Sequence, residues 1–144
     1  MMKMKIIRAE ATPIQLQLKE PFSIATETVE VADNIFIRLE TDTGVVGWGC
    51  STPDVVTSET KETVLRNFEV VKLLVVGSDP TRLNLVNFAI DSELEGNSSL
   101  KAGVNMALYD IVGKMAGMPL FRLLGGYREK ILTSVTIGLN LTDL

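Results

Sequence analysis

In the first third of the chain, apolar and polar positions alternate with a period of two. Ile14, Leu16 and Leu18 are separated by Gln15 and Gln17, and Ile35, Ile37 and Leu39 alternate with Phe36, Arg38 and Glu40. That period puts one apolar face on each segment and predicts strands near 4–18 and 33–41. "TDTG" (41–44) is turn chemistry ending on a glycine, and "VVGWG" after it predicts a third strand over 44–50, giving an antiparallel meander. Between the first two strands, "KEPFSIATETVEVA" (19–32) is interrupted by Pro21 and is too polar and too long for a tight hairpin. It reads as a long exposed loop, and such loops in compact domains are often functional.

The period then becomes helical. Val64, Phe68, Val71 and Val75 form one stripe, with Thr57 or Ser58 as the expected N-cap and Gly77 at C′. A second helix is expected to restart with Asp79 as cap and Pro80 at its first position, burying Leu83, Val86, Ile90 and Leu94. A third places Leu100, Val104, Ala107, Ile111 and Met115 on one face. Its small residues Ala102, Gly103 and Ala107 would let a neighbouring backbone come close. Gly117 ends that helix and Pro119 prevents its continuation. "PLFRLLGG" is a short helical turn stopped by Gly125 and Gly126. Strands followed by helices argue an α+β fold, a three-stranded antiparallel meander with a three- to four-helix bundle. One further strand does not fit that order: Val135, Ile137 and Leu139 alternate with Thr136, Gly138 and Asn140 near the end of the chain.

Composition narrows the chemistry. At 144 residues the length suits one domain, and 46% hydrophobic against 22% charged is enough to bury an ordinary core. A net charge of −4 with scattered lysines and arginines argues against nucleic acid. No apolar run reaches transmembrane length. The start "MMKMKIIRAE" lacks the hydrophobic stretch of a signal peptide, and Cys50 stands alone, so the cytoplasm is the expected setting. There is no histidine, which removes His-based triads and the commonest general base. Cys50 has no histidine or second cysteine to activate it and reads as a small packed residue. Asp91, Glu93 and Glu95 do not share a helix face and read as a solvated helix end. Glu27 and Glu30 read as surface charge. Spacing alone yields no catalytic constellation.

A longer pattern changes that picture. "SLKAGVNMALYDIVGKMAGMPLFRLLGG" (99–126) combines a small-residue helix, "MALYD", a lysine four residues further on and "G-x-P-L-x-x-L-L-G-G". It resembles the characteristic helix of the mandelate racemase/muconate lactonizing group of the enolase superfamily. "PFSIATETVEVADNIFIRLETDTGVVGWG" is similar to that group's first hairpin. The resemblance covers essentially the whole chain and only the N-terminal part of the family. It implies a capping domain, residues 1–130, followed at 131–144 by the first strand of a (β/α) barrel whose remainder lies beyond this sequence. It also implies an intact enzyme that removes a proton α to a carboxylate and stabilises the enediolate with Mg²⁺, on bases and ligands beyond position 144. The 144-residue chain alone is therefore expected to be inactive, with no catalytic or metal-binding residue of its own.

By the same resemblance, two segments of the cap fold over the barrel mouth and contact the variable end of the substrate. Phe22, Ile24 and Glu27 lie in the first (19–32), and Asp54 and Val55 in the second (50–59); Thr136 matches a substrate-facing threonine on the first barrel strand. Within the group the chain looks most like the dipeptide epimerases. Muconate cycloisomerase-like and o-succinylbenzoate synthase-like enzymes share the cap and are the alternatives. A non-catalytic α+β association module is the alternative of another class; a downstream segment with Lys-x-Lys and spaced acidic strands would mark the enzyme. The expected partners are a small carboxylate substrate such as a dipeptide, the protein's own barrel and further copies of itself, with neither nucleic acid nor membrane. Cys50 stands where the family often has Glu, and Asn105 where it often has an acidic residue or Gln. Glu27 is opposite in sign to the basic residue found near there in some L-Ala-D/L-Glu epimerases.

Overall fold

The computed structural model describes residues 4–24 and 28–135. Three strands, β1 (Ile6–Ser23), β2 (Thr28–Thr41) and β3 (Val46–Ser51), form an antiparallel sheet in the order β1-β2-β3. Four helices follow: α1 (Lys61–Val75), α2 (Leu83–Glu93), α3 (Ser98–Ala116) and the short α4 (Leu120–Leu123). This is the α+β arrangement that the pattern predicts. The β2–β3 turn closes with the Gly44 N–H donating to the Thr41 carbonyl at 3.0 Å, and Gly44 sits at φ 82°, where a side chain would be strained.

One face of the sheet is apolar because its period is two. Ile35, Ile37 and Leu39 are fully buried there, with Ile6 and Ala9 from β1. Against them pack Val64, Phe68, Val71 and Val75 of α1, Val86 and Ile90 of α2, and Leu100, Val104, Ala107, Leu108 and Ile111 of α3. Each such side chain removed from water contributes roughly 1.5–3 kcal/mol before entropy is counted. Met115, expected on the buried face of α3, is 45% exposed. It lies in the last turn, past the end of the sheet.

The closest approach is between β3 and α3, and glycines make it possible. A Cβ built on Gly47 would fall on the Ala107 carbonyl oxygen, and one on Gly49 on the Gly103 carbonyl oxygen. A Cβ on Gly103 would in turn meet the backbone of Cys50 and Ser51 at 3.0 Å. The strand therefore lies directly on the helix backbone.

β3 is an edge strand, and α3 bonds two of its outward-facing groups. The Trp48 N–H donates to Asp110 Oδ2 at 2.9 Å. The Lys114 ammonium donates to the Val46 carbonyl at 2.7 Å and to Asp110 Oδ2 at 2.6 Å. At the opposite edge of the sheet, Ile6 of β1 exchanges hydrogen bonds with the α1–α2 link, its N–H to the Ser78 carbonyl and its carbonyl to the Gly77 N–H.

Several boundaries differ from the sequence expectation. Most of the described part of 19–32 is strand, since β1 continues to Ser23 and β2 starts at Thr28. Pro21 is accommodated at a register shift. Gln17 pairs with Val31 and Phe22 with Val29, so 18–21 bulge opposite Glu30 alone, and Gln17 Nε2 donates to the Glu30 carbonyl inside the gap. Pro21 is tolerated because β1 is an edge strand and the bulge asks no N–H of it. α1 is capped by Thr60, whose side chain accepts from the Thr63 N–H, rather than by Thr57 or Ser58. α2 begins at Leu83; Asp79 instead forms a local turn, accepting from Thr81 N–H at 2.9 Å. Residues 131–135 carry no strand in the described structure, and the rest of the expected terminal strand, with Thr136, lies outside the described residues.

The β3–α3 contact yields a direct expectation. Gly49→Ala should cost at least ~3 kcal/mol, because the new methyl meets backbone that cannot move aside, lowering the Tm by roughly 10 °C or more. A thermal melt of the variant against the parent checks it.

Candidate functional site

β1 ends, β2 begins and β3 ends at the same end of the sheet. There the β1–β2 hairpin runs on past Ile35, the last β2 residue paired with β3 at Ser51. From Thr28 to Ile35 it extends about 23 Å at strand rise. Phe22 and Ile24 near its tip are 37% and 41% exposed, and Ser23 Oγ and Thr28 Oγ1 tie the last rung at 2.9 Å. Glu27 lies outside the described residues.

The segment after β3 is folded on itself. Asp54 Oδ1 accepts from the Val56 N–H at 2.8 Å, and Thr57 Oγ1 exchanges bonds with the Asp54 backbone, a reciprocal box around a 3-10 turn at Val55–Thr57. Asp54 thus spends one carboxylate oxygen on its own turn. Val55 and Val56 are left 82% and 91% exposed. Ser58 reverses the chain at φ 56°, a conformation that suits glycine better than serine. The structure places Phe22 and Ile24 in one element and Asp54 and Val55 in the other, at the same end of the sheet; it does not describe the position of Glu27 or Thr136.

The segment is fastened to α3 at both ends. Ser51, fully buried, hydrogen-bonds through Oγ to Ser99 Oγ. Glu59, only 7% exposed, accepts the Ser99 N–H on Oε2 at 2.9 Å and the Leu100 N–H on Oε1 at 3.1 Å. It takes the place of an N-cap, because Asn97 at the start of α3 makes no side-chain cap bond. The sequence reading missed Glu59: its partners are 40 and 41 residues away, and no local pattern marks it.

Other charged groups are structural. Arg38 joins Glu10 at 3.1 Å and Glu40 at 2.8 Å on the sheet face away from the helices. Its bond to Glu40 above all, with Glu10 adding, holds its pKa above the usual guanidinium value against the pull of desolvation. Glu62, in the first turn of α1, is held below the ordinary carboxyl value by its own backbone N–H and then by the Thr60 side chain. Asp91 pairs with Lys101 at 2.7 Å, and Asp91, Glu93 and Glu95 are all exposed, as expected of a solvated helix end. Cys50 sits half-buried beside Asn34, its Sγ 3.5 Å from Asn34 Oδ1. Among the described residues, no three His, Cys, Asp or Glu side chains converge where a metal could be held. No helix among them is long and apolar enough to cross a membrane.

Residues 6–125 match the family model described as the mandelate racemase / muconate lactonizing enzyme N-terminal domain. The chain belongs to this family. Among curated relatives it is 37% identical over 139 residues to the L-Ala-D/L-Glu epimerase of Bacillus subtilis, covering 95% of this chain and 38% of that protein. The structure of a dipeptide epimerase from Enterococcus faecalis, complexed with Mg and L-Leu-L-Tyr, superposes with a TM-score of 0.87 at 33% identity, covering 96% of this chain and 39% of that one. A dipeptide epimerase from Methylococcus capsulatus, complexed with Mg and L-Arg-D-Lys, gives 0.87 at 30% identity, covering 94% and 39%. The chain thus spans about two fifths of the length of the relatives it matches.

The strained turn at Ser58 can be tested. Ser58→Gly removes a left-handed conformation costing about 1 kcal/mol, partly offset by the greater freedom of glycine in the unfolded chain. A Tm rise of about 1–3 °C is expected by calorimetry; a fall would contradict the assigned backbone.

Proposed function

We propose that this chain is the capping and specificity domain, residues 1–130, of a dipeptide-epimerase-like enzyme that abstracts a proton α to a carboxylate, with 131–144 entering the first barrel strand. The observation that carries this reading is the match over nearly the whole chain to epimerases, two of whose solved relatives hold dipeptides. The described residues offer no ligand set for Mg²⁺. Mg²⁺ is the expected cofactor of the intact enzyme, on ligands outside them. The same holds for the acid and base, so the chain alone is inactive in this reading.

What this domain's own residues would do is shape and dry the site. The hairpin tip, with Phe22, Ile24 and Glu27, forms one wall, and the turn carrying Asp54, Val55 and Val56 forms the other, while Thr136 faces the substrate from the first barrel strand. Apolar side chains at the mouth exclude water and strengthen every charge interaction inside. A carboxylate at Glu27 disfavours an acidic dipeptide side chain and favours a cationic one. Further copies of the protein are expected partners of the intact enzyme, and the cytoplasm its setting.

The test uses the full-length protein that carries this chain. Incubated in D₂O with Mg²⁺ and a panel of acidic, apolar and cationic dipeptides, it should exchange the α-proton of the C-terminal residue, followed by proton NMR, for at least one class. Retention of that proton across the panel would overturn the reading.

A further inference from the structure

We propose that Glu59 is the positioning residue of the segment 52–58, holding Val55 and Val56 as a preformed apolar wall rather than a mobile flap. The substrate part of this inference rests on the function proposed above; the positioning part does not.

The two walls are held differently. The hairpin beyond Ile35 is a two-stranded ribbon with a bulge at 18–21, and isolated two-stranded ribbons are marginal on their own. The segment 52–58 is short, leaves and rejoins the domain at one point, and is bonded throughout. The Thr57 N–H donates to the Asp54 carbonyl at 3.1 Å, the Ser58 N–H to Val55 at 3.1 Å and the Glu59 N–H to Asp54 at 3.2 Å. Its entry is fixed by the Ser51–Ser99 bond and its exit by the two bonds of Glu59 to the Ser99 and Leu100 N–H groups. All of these anchors lie in the first turn of α3, the helix locked to β3 by glycine contact.

Glu59 suits this task in three ways. Its carboxylate is buried, so its two bonds face little competition from water. The bonds are charge-assisted and lie at the positive end of a 19-residue helix. Its own N–H closes the turn by bonding Asp54, so one residue joins the turn's hydrogen bonds to the helix. Val55 and Val56 gain nothing from burial within this domain, as both are almost fully exposed. β-branched side chains have few rotamers, so a fixed backbone gives them nearly fixed positions. A surface of that kind is suited to meeting a substrate side chain without first being ordered.

Capping of α3 alone, with no effect on the turn, is the competing account, and local exchange separates the two. Glu59→Gln keeps one acceptor and the side-chain shape. Asp110→Asn weakens the same helix at the far end and controls for general loss of stability. In the 144-residue chain, Glu59→Gln should speed amide exchange at 56–59 by about tenfold relative to amides 104–108 in the same molecule. Asp110→Asn should leave that ratio within about twofold of the parent. A uniform change across the chain, or no change at 56–59, overturns the positioning role. In the full-length protein, Glu59→Gln should raise KM for an accepted dipeptide about fivefold or more with kcat within about twofold. An unchanged KM with a loosened turn overturns the link to substrate. Were the parent to turn over no dipeptide, the function proposed above would fail while the exchange measurement still decided the role of Glu59.

Discussion

The rest of the structure depends on how closely β3 lies on α3. Gly47 and Gly49 bring the strand backbone onto the carbonyls of Ala107 and Gly103, and no residue with a side chain could replace either glycine without moving one element off the other. Such contact brings polar backbone into an apolar interior, where an unpaired N–H or C=O costs about 1–3 kcal/mol. On the open, solvent-facing edge of β3, Asp110 and Lys114 bond the Trp48 N–H and the Val46 carbonyl. An edge strand that would otherwise invite pairing by another chain is thereby closed by its own helix.

From that contact the position of the site follows. Once α3 is fixed on β3, its first turn lies beside the end of the strand, where Ser51 and Glu59 reach it. The chain between them has nowhere to go but outward, and its Asp54–Thr57 box makes it a defined turn. The hairpin projects from the same end of the sheet because β1 and β2 are longer than β3. A rigid core, a fastened turn and a long ribbon are thus consequences of one contact and three unequal strand lengths. The capping role proposed above would use such a division, with rigid support behind the walls.

The core was legible because it obeys simple periods: Ile35, Ile37 and Leu39 at two, and Val64, Phe68, Val71 and Val75 at the helical period, all of them buried. The small residues of α3 also announced a close neighbour, and β3 is that neighbour. The outer part of the hairpin, 19–32, looks like a loop in sequence because it is polar and interrupted by Pro21, which the structure places in a bulge. The cap of α1 moves from the expected Thr57 or Ser58 to Thr60 because Thr57 is engaged in the Asp54 box. Phe22, Ile24, Asp54 and Val55 entered by resemblance to a family, and the structure adds that they belong to two separately held elements. Glu59 was invisible because capping across 40 residues leaves no local trace.

Asp110 and Lys114 act together to bind the β3 edge to α3, and a double-mutant cycle tests their coupling most directly. Asp110→Asn, Lys114→Met and the double variant would be compared by urea unfolding. Because Lys114 and the Trp48 N–H both bond Asp110 Oδ2, the two variants should show an interaction energy of about 0.5 kcal/mol, with the double variant less destabilised than the sum of the singles. Exchange at the Trp48 amide should quicken in each single variant beyond the change in global stability. Strict additivity together with an unaltered Trp48 amide would contradict the account.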